Sequence, residues 1–407
     1  MLGRVRHAGG LLIVLLCWAT AAAQNDPALS EVPPEQFAIL PWDWTRPDPS
    51  VLQEIKQAGF NLAGFISPEG LDAVAAAGLK AIVANGRTSV SDAVVGLTEA
   101  EIGHRVKELT DRVGSHPAVF GYYLRDEPGA AMFRALAKWA AAFRAAAPRG
   151  LPYINLFPNY ASSEQLGATY EQYVETFLQT VQPPFLSYDN YSLMDDGSLR
   201  DGYFQNLEAI RSAALRSKLP FWNVVLANAH FRYAEPTYGG LSFQVFTALA
   251  YGARGISYYT YFTPTTGNYR LAPIDQFGHK TPTWDLVRRV NLQILKLAPT
   301  YTQLKSVNVF HHPEVPAGCR GLDSSRFVAE LNGGDLMAGE FEDPQNRPAV
   351  MLVNKDLRHS TPFSVRFRSA GPVQIVNSYT GQTHAWEGGN AWLAPGQGVL
   401  LLIGNTE

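Results

Sequence analysis

Glu127 is the side chain in this sequence best placed to move a proton, because it stands in Arg125-Asp126-Glu127-Pro128 directly after an apolar run. A carboxyl group held at the end of a buried strand can serve as acid, base or nucleophile once its surroundings shift its proton affinity. Similar polar and aromatic clusters close other apolar runs: Trp42-Asp43-Trp44, Pro158-Asn159-Tyr160 and Tyr188-Asp189-Asn190-Tyr191. Asn228, His230 and Arg232 follow a further run, and Tyr258, Tyr259 and Tyr261 belong to the last. Carboxylates ringed by Trp and Tyr suit a sugar, since aromatic faces pack on the C–H faces of pyranose rings while acids handle hydroxyls and the glycosidic oxygen. Trp42, Asp43, Trp44, Asp126 and Tyr160 are therefore expected to bind ligand. Tyr191, Asn228, His230, Arg232 and Tyr261 join them.

Such residues act together only if the fold brings them to one end. From Phe37 to about Pro299, short apolar runs alternate with helical patterns, as in repeated βα units around a parallel sheet. The strand candidates are 37–41, 62–66, 81–84, 119–124, 153–157, 185–188, 221–226 and 256–261. Helical patterns lie between them, for example at 49–58, 99–113, 130–146, 170–180, 202–217, 242–251 and 283–297. Eight strands and eight connections predict an α/β fold, a (β/α)8 TIM barrel over 37–300, with its site at the C-terminal ends of the strands. Gly59, Gly78, Gly114 and Gly255 each fall after a helix, where a left-handed capping residue is favoured. A doubly wound open sheet is disfavoured, since no Gly-rich phosphate loop follows the first strand. Tyr122, Tyr123, Tyr258 and Tyr259 alternate along strands, so half of them should pack under helices, and Trp222 is expected in the core. From 301 to 407 the pattern changes to short alternating strands separated by turns such as Asn332-Gly333-Gly334, which predicts a small antiparallel β-sandwich domain. That domain either binds glycan or covers the barrel.

The run Phe120-Gly121-Tyr122-Tyr123-Leu124-Arg125-Asp126-Glu127-Pro128 resembles the strand-four segment of clan A glycoside hydrolases, such as family-42-type β-galactosidases. The stretch from Gln244 to Gly255, followed by Tyr258-Tyr259-Thr260-Tyr261, is similar to their seventh helix and eighth strand. The resemblance implies that Glu127 is the acid/base, preceded where those enzymes have Asn by Asp126, and that a nucleophilic Glu should close strand seven. Asp126 therefore either raises the proton affinity of Glu127 by like-charge repulsion or pairs with an arginine such as Arg125. Asn223 to Ala229 contains no acid, so the second carboxylate is either Asp189 or Glu235. Their separation from Glu127 would set the outcome, because about 5 to 5.5 Å suits a covalent intermediate and about 6.5 to 9.5 Å leaves room for water. The expected activity is hydrolysis of O-glycosidic bonds in a poly- or oligosaccharide. The alternatives are a non-catalytic carbohydrate-binding barrel and a polysaccharide lyase.

Arg4 and Arg6 precede an apolar run from Leu11 to Trp18 and then Ala21-Ala22-Ala23, which predicts a signal peptide over 1–23 and a linker over 24–36. The protein is thus expected to be secreted or periplasmic, with no membrane span, since the run is short of the roughly 20 residues a bilayer needs. Of 33 basic and 36 acidic side chains, Arg4 and Arg6 would leave with the leader, taking the net charge from −3 to about −5 without long like-charge runs. That argues against a nucleic-acid partner, which would need a basic face. No cofactor or metal is expected, because closely spaced histidines are absent near the first strand and no nucleophile elbow is present.

Overall fold

The computed structural model describes residues 37–147, 150–389 and 391–404. The expected leader and linker lie outside the described residues. Eight strands run parallel in two four-stranded sheets: β1 (Ala38–Pro41), β2 (Leu62–Ile66), β3 (Lys80–Val83), β4 (Val119–Asp126), β5 (Leu151–Asn155), β6 (Leu186–Asp189), β7 (Phe221–Leu226) and β8 (Gly255–Tyr259). Their orders are β1-β8-β7-β6 and β2-β3-β4-β5. Single parallel bridges, Trp44 to Phe65 and Leu156 to Tyr188, join the two sheets at both seams. At the first seam the Phe65 N–H donates to the Asp43 carbonyl at 2.7 Å, and at the second the Leu156 N–H donates to that of Ser187 at 2.8 Å. Gly64 lets the first seam form, because a Cβ there would stand 2.2 Å from the Asp43 carbonyl oxygen.

The strands bury both faces, so each face has its own core. On the inner face of the two sheets pack Leu40, Trp42, Phe65, Phe120, Tyr153 and Trp222. Outside pack the nine helices of the described residues: α1 (Pro49–Gln57), α2 (Leu71–Ala76), α3 (Glu99–Val113), α4 (Phe133–Ala146), α5 (Ser163–Leu166), α6 (Tyr170–Val181), α7 (Tyr203–Ser217), α8 (Tyr238–Ala250) and α9 (Pro282–Tyr301). The paired tyrosines divide as strand alternation requires: Tyr122 and Tyr258 lie under helices, Tyr123 and Tyr259 against the inner core. Helix starts are chemically marked. Thr98 caps α3 and Thr169 caps α6, each in a reciprocal box with the residue three positions on.

Two of the four expected capping glycines differ. Gly59 and Gly78 have φ of 83° and 68°, as a left-handed cap needs, but Gly114 is right-handed at −62°. Gly255 opens β8 instead, where a Cβ would stand 2.6 Å from the Trp222 ring; Gly252, at φ 99°, turns the chain out of α8. Helix α8 also starts earlier than its apolar pattern, taking in Gly239 and Gly240. A Cβ on Gly239 would meet the Leu357 carbonyl at 2.5 Å, so these glycines serve close packing inside the helix.

Beyond α9 the chain forms β9 (Lys305–His312), β10 (Val328–Gly333), β11 (Leu336–Glu342), β12 (Pro348–Asn354), β13 (Thr361–Phe367), β14 (Val373–Val376), β15 (Thr383–Ala385), β16 (Ala391–Leu393) and β17 (Gly398–Ile403). They make a six-stranded sheet, β15-β14-β17-β12-β11-β9, and a three-stranded sheet, β10-β13-β16. Alternation sends Leu336, Ala338, Val350 and Leu352 between the two sheets, while Met337, Met351 and Val353 join the core shared with the helices. The second face lies on α8, whose every residue but Tyr238 is buried, the mark of a helix enclosed on all sides. Gly339 permits that approach, since a Cβ there would stand 2.0 Å from the Ala250 carbonyl oxygen.

Candidate active site

Strand β4 delivers its two acids through a local break in regularity. Its register with β5 shifts between Tyr123 and Arg125, after which Asp126 stands opposite Asn155. Glu127 follows at φ 43°, a conformation rarely adopted by residues other than glycine, and its N–H donates to the Asn155 carbonyl at 2.9 Å. A bulge and a left-handed residue in succession re-aim two neighbouring side chains that a regular strand would send to opposite faces.

Asn155, closing β5, is the hub. Its Nδ2 donates to Asp126 Oδ1 at 3.2 Å and to Asp189 Oδ1 at 2.9 Å. Its Oδ1 accepts from Ser187 Oγ at 2.9 Å, and Ser187 lies 3.1 Å from the Tyr153 hydroxyl. Ser187 and Asp189 share a face of β6 because they are two residues apart. The sequence gives Asn155 no distinguishing mark beyond a polar residue at a strand end. Its importance depends on the register that sets it between two acids.

A hydrogen bond between the Asp189 and Glu127 carboxyls is one of the influences on the proton affinity of both. Burial pushes Asp189 well above the usual carboxylate range, and the charges of Glu127 and Asp126 add to it, against the Asn155 amide. Glu127 is raised to about 7 by burial and then by the Asp126 charge, while the bond from Asp189 opposes the rise. Asp126 is raised to about 6 by burial, opposed by Asn155 and Arg125. The guanidinium of Arg125 turns away, donating to the Val90 carbonyl at 3.2 Å and standing 3.6 Å from Asp92. Asp43, on the loop after β1, is also raised to about 6 by burial although it accepts from the Trp44 and Phe262 N–H groups.

Aromatic rings wall this cluster. Tyr191 stacks on Tyr259 with centroids 5.5 Å apart, and its N–H donates to the Tyr160 hydroxyl at 3.1 Å. The guanidinium of Arg200 covers the Tyr160 ring at 4.2 Å. Trp42 is buried edge-on to Phe65 and Tyr153, whereas Trp44 is 61% exposed beside Tyr123. His230 stacks on Tyr269 at 4.5 Å and bonds the Asn228 Oδ1 through Nδ1 at 2.8 Å. Burial and the charge of Arg270 lower it to about 4, so it is neutral at physiological pH.

Three expected site residues have partners outside the acid cluster. Tyr261 lies beyond the end of β8 and turns under the helices, where its hydroxyl accepts from Trp284 Nε1 at 3.0 Å; the strand alternation that would have aimed it inward has already ended. Arg232 is exposed and paired with Asp195 at 2.8 Å. Glu235 is exposed on the β7–α8 loop and paired with Arg270 at 3.0 Å. A cavity of about 1190 Å³ opens at the opposite end of the strands among Lys80, His116, Phe120, Phe185, Trp222 and Arg254. No carboxylate among the described residues lines it.

No family sequence model matches the chain, and no curated protein does. Solved structures share its fold. A β-galactosidase from Bacillus circulans sp. alkalophilus superposes with a TM-score of 0.63 at 8% identity, over 90% of this chain and 99% of the other. A glycoside hydrolase family 5 protein from Bacteroides vulgatus gives 0.60 at 11%, over 91% and 89%. Against the β-galactosidase of psychrophilic Marinomonas ef1 the TM-score is 0.50 at 11% identity, over 67% of this chain and 62% of that one. This chain therefore spans about three fifths of that relative. The expected resemblance to clan A, TIM-barrel glycoside hydrolases is met at the level of the fold, without selecting one family within it.

Proposed function

We propose that the chain is an exported glycoside hydrolase that cleaves a poly- or oligosaccharide on a closed (β/α)8 barrel spanning 37–300, with a β-sandwich over 301–407. The bridges at both seams of the parallel sheets support closure of the barrel. The observation that carries the function is the convergence of Asp126, Glu127 and Asp189 on Asn155 at the ends of three adjacent strands, inside a wall of tyrosines. Glu127, holding its proton to about pH 7, is the acid that protonates the leaving glycosidic oxygen. Asp189 is the carboxyl that neighbours Glu127, and hydrolysis needs such a pair about 5 to 5.5 Å apart for a covalent intermediate or about 6.5 to 9.5 Å apart to admit water. A sugar entering the site must part this pair. Asp189 then ionises and serves as nucleophile or as base for water. Trp42, Asp43, Trp44, Tyr160, Tyr191 and the Asn228–His230 pair shape the subsites.

One observation favours a second reading, a carbohydrate-binding protein without turnover: β7 runs into Ala227 and Asn228 and places no acid at its end. One experiment separates the two. The chain from Gln24 onward is incubated with a panel of plant and microbial polysaccharides beside Glu127→Gln, and new reducing ends are counted. Products from the unaltered protein alone support hydrolysis. Binding without product, or equal product from Glu127→Gln, rejects it.

A further inference from the structure

The loop that carries Glu235 is tied to the loop after β8 by a short ribbon. Ala229 and Arg270 exchange two backbone hydrogen bonds of 2.9 Å, and Glu235 closes the ribbon on Arg270 at 3.0 Å. Between these ties stands Phe231. The Asn268 side chain holds its backbone on both sides, accepting from the Phe231 N–H at 2.8 Å and donating to the Phe231 carbonyl at 3.3 Å. The residue so held has φ 46°, and its ring is 71% exposed.

This arrangement contradicts what stability alone would select. A left-handed conformation favours glycine or asparagine, and an aromatic ring in water gains nothing from burial. Strain and exposure at one pinned position point to a role for the ring itself. The ring is also continuous with the carboxyl cluster. It lies 5.0 Å from His230, which lies 5.8 Å from Tyr259, and Tyr259 stacks on Tyr191. Strand β8 carries Tyr259 between β1 and β7, so the exposed Trp44 flanks it on one side and Phe231 on the other.

We propose that Phe231 is an outer sugar-stacking platform, held in position by Asn268, so that the site takes an extended saccharide lying from Phe231 across the tyrosines toward Trp44. The ligand class rests on the function proposed above, but binding at Phe231 does not depend on Glu127 being the acid.

Native gel electrophoresis through soluble galactan, xylan and mixed-linkage β-glucan tests this without needing turnover. Phe231→Ala and Phe231→Gly should bind the retarding polysaccharide about two- to tenfold more weakly than the unaltered protein. Phe231→Gly should melt at the same temperature or higher, because glycine relieves the left-handed backbone. That combination separates a binding platform from a structural residue. Asn268→Ala, which keeps the ring but frees the backbone, should also weaken binding. The proposal is overturned if Phe231→Ala and Phe231→Gly are retarded as strongly as the unaltered chain, or if none of the three polysaccharides retards the unaltered chain. Undiminished binding by Asn268→Ala removes the clamp from it. Turnover retained by Glu127→Gln would overturn the acid assignment and leave the platform standing.

Discussion

The two ends of the parallel strands carry openings of opposite kinds. At the N-terminal ends lies a roomy space, a cavity of about 1190 Å³ floored by Phe120, Phe185 and Trp222. At the C-terminal ends lie Asp43, Asp126, Glu127 and Asp189, all with proton affinity raised by burial. Room alone does not locate chemistry. Groups held in an unfavourable state do, because the surrounding fold must stabilise them for a reason. The function proposed above places the reaction at the C-terminal ends, as barrels of parallel strands do, and leaves the other end to stability.

The largest expected effect tests the first half of that contrast. Glu127→Gln should reduce kcat/KM by about 10²- to 10⁴-fold on whichever polysaccharide the unaltered protein cleaves. Stability should move the other way. Glu127 binds its proton more tightly folded, at about 7, than at its ordinary 4.5. Its contribution is therefore fully present below about 4.5 and lost as pH rises to 7. Glu127→Gln should then melt above the unaltered protein at pH 8, and the gap should close near pH 5. A variant that is both inactive and less stable at pH 8 would mean that Glu127 is a structural residue.

At the opposite end Trp222→Ala should do the reverse. The ring is buried and stacked on Phe185 at 4.4 Å, so its loss should cost about 3–5 kcal/mol in a denaturant titration. The kcat/KM of the molecules that remain folded should stay within about twofold. A selective fall in activity would break the comparison, since it would give the lower cavity a part in the reaction.

A smaller effect sharpens the picture of the mouth. Neutralising Asp126 removes a negative charge that raises Glu127, so Asp126→Asn should move the alkaline limb of the rate profile to lower pH, by on the order of one unit. An unmoved limb would show that burial alone sets the proton affinity of Glu127.

Much of this was legible before any coordinates. The eight parallel strands announce themselves because strands covered on both faces read as continuous apolar runs, and Glu127 stands out as an acid directly after one. What stayed hidden depends on register. Asn155 looks like an ordinary polar residue of a strand until β4 shifts against β5 and sets it between Asp126 and Asp189. Gly239 looks like a loop residue until Leu357 and Pro395 are seen against it. Trp222, expected in the core, is there. Asp189 and Glu235 were indistinguishable as partners for Glu127 because chain distance says nothing about which loop folds inward.

Tyr261 supplies the smallest and most specific test. Its sequence position, two residues after Tyr259, suggests the same inward face, but its hydroxyl accepts from Trp284 Nε1 at 3.0 Å beneath the helices. Tyr261→Phe should therefore remove one buried hydrogen bond, costing about 1 kcal/mol in a denaturant titration. Saccharide affinity and the pH profile should not change, because the Tyr261 ring packs on Phe60, outside the wall formed by Tyr191 and Tyr259. A raised KM at unaltered stability would put the Tyr261 side chain back in the mouth and give the strand alternation one more turn than β8 shows.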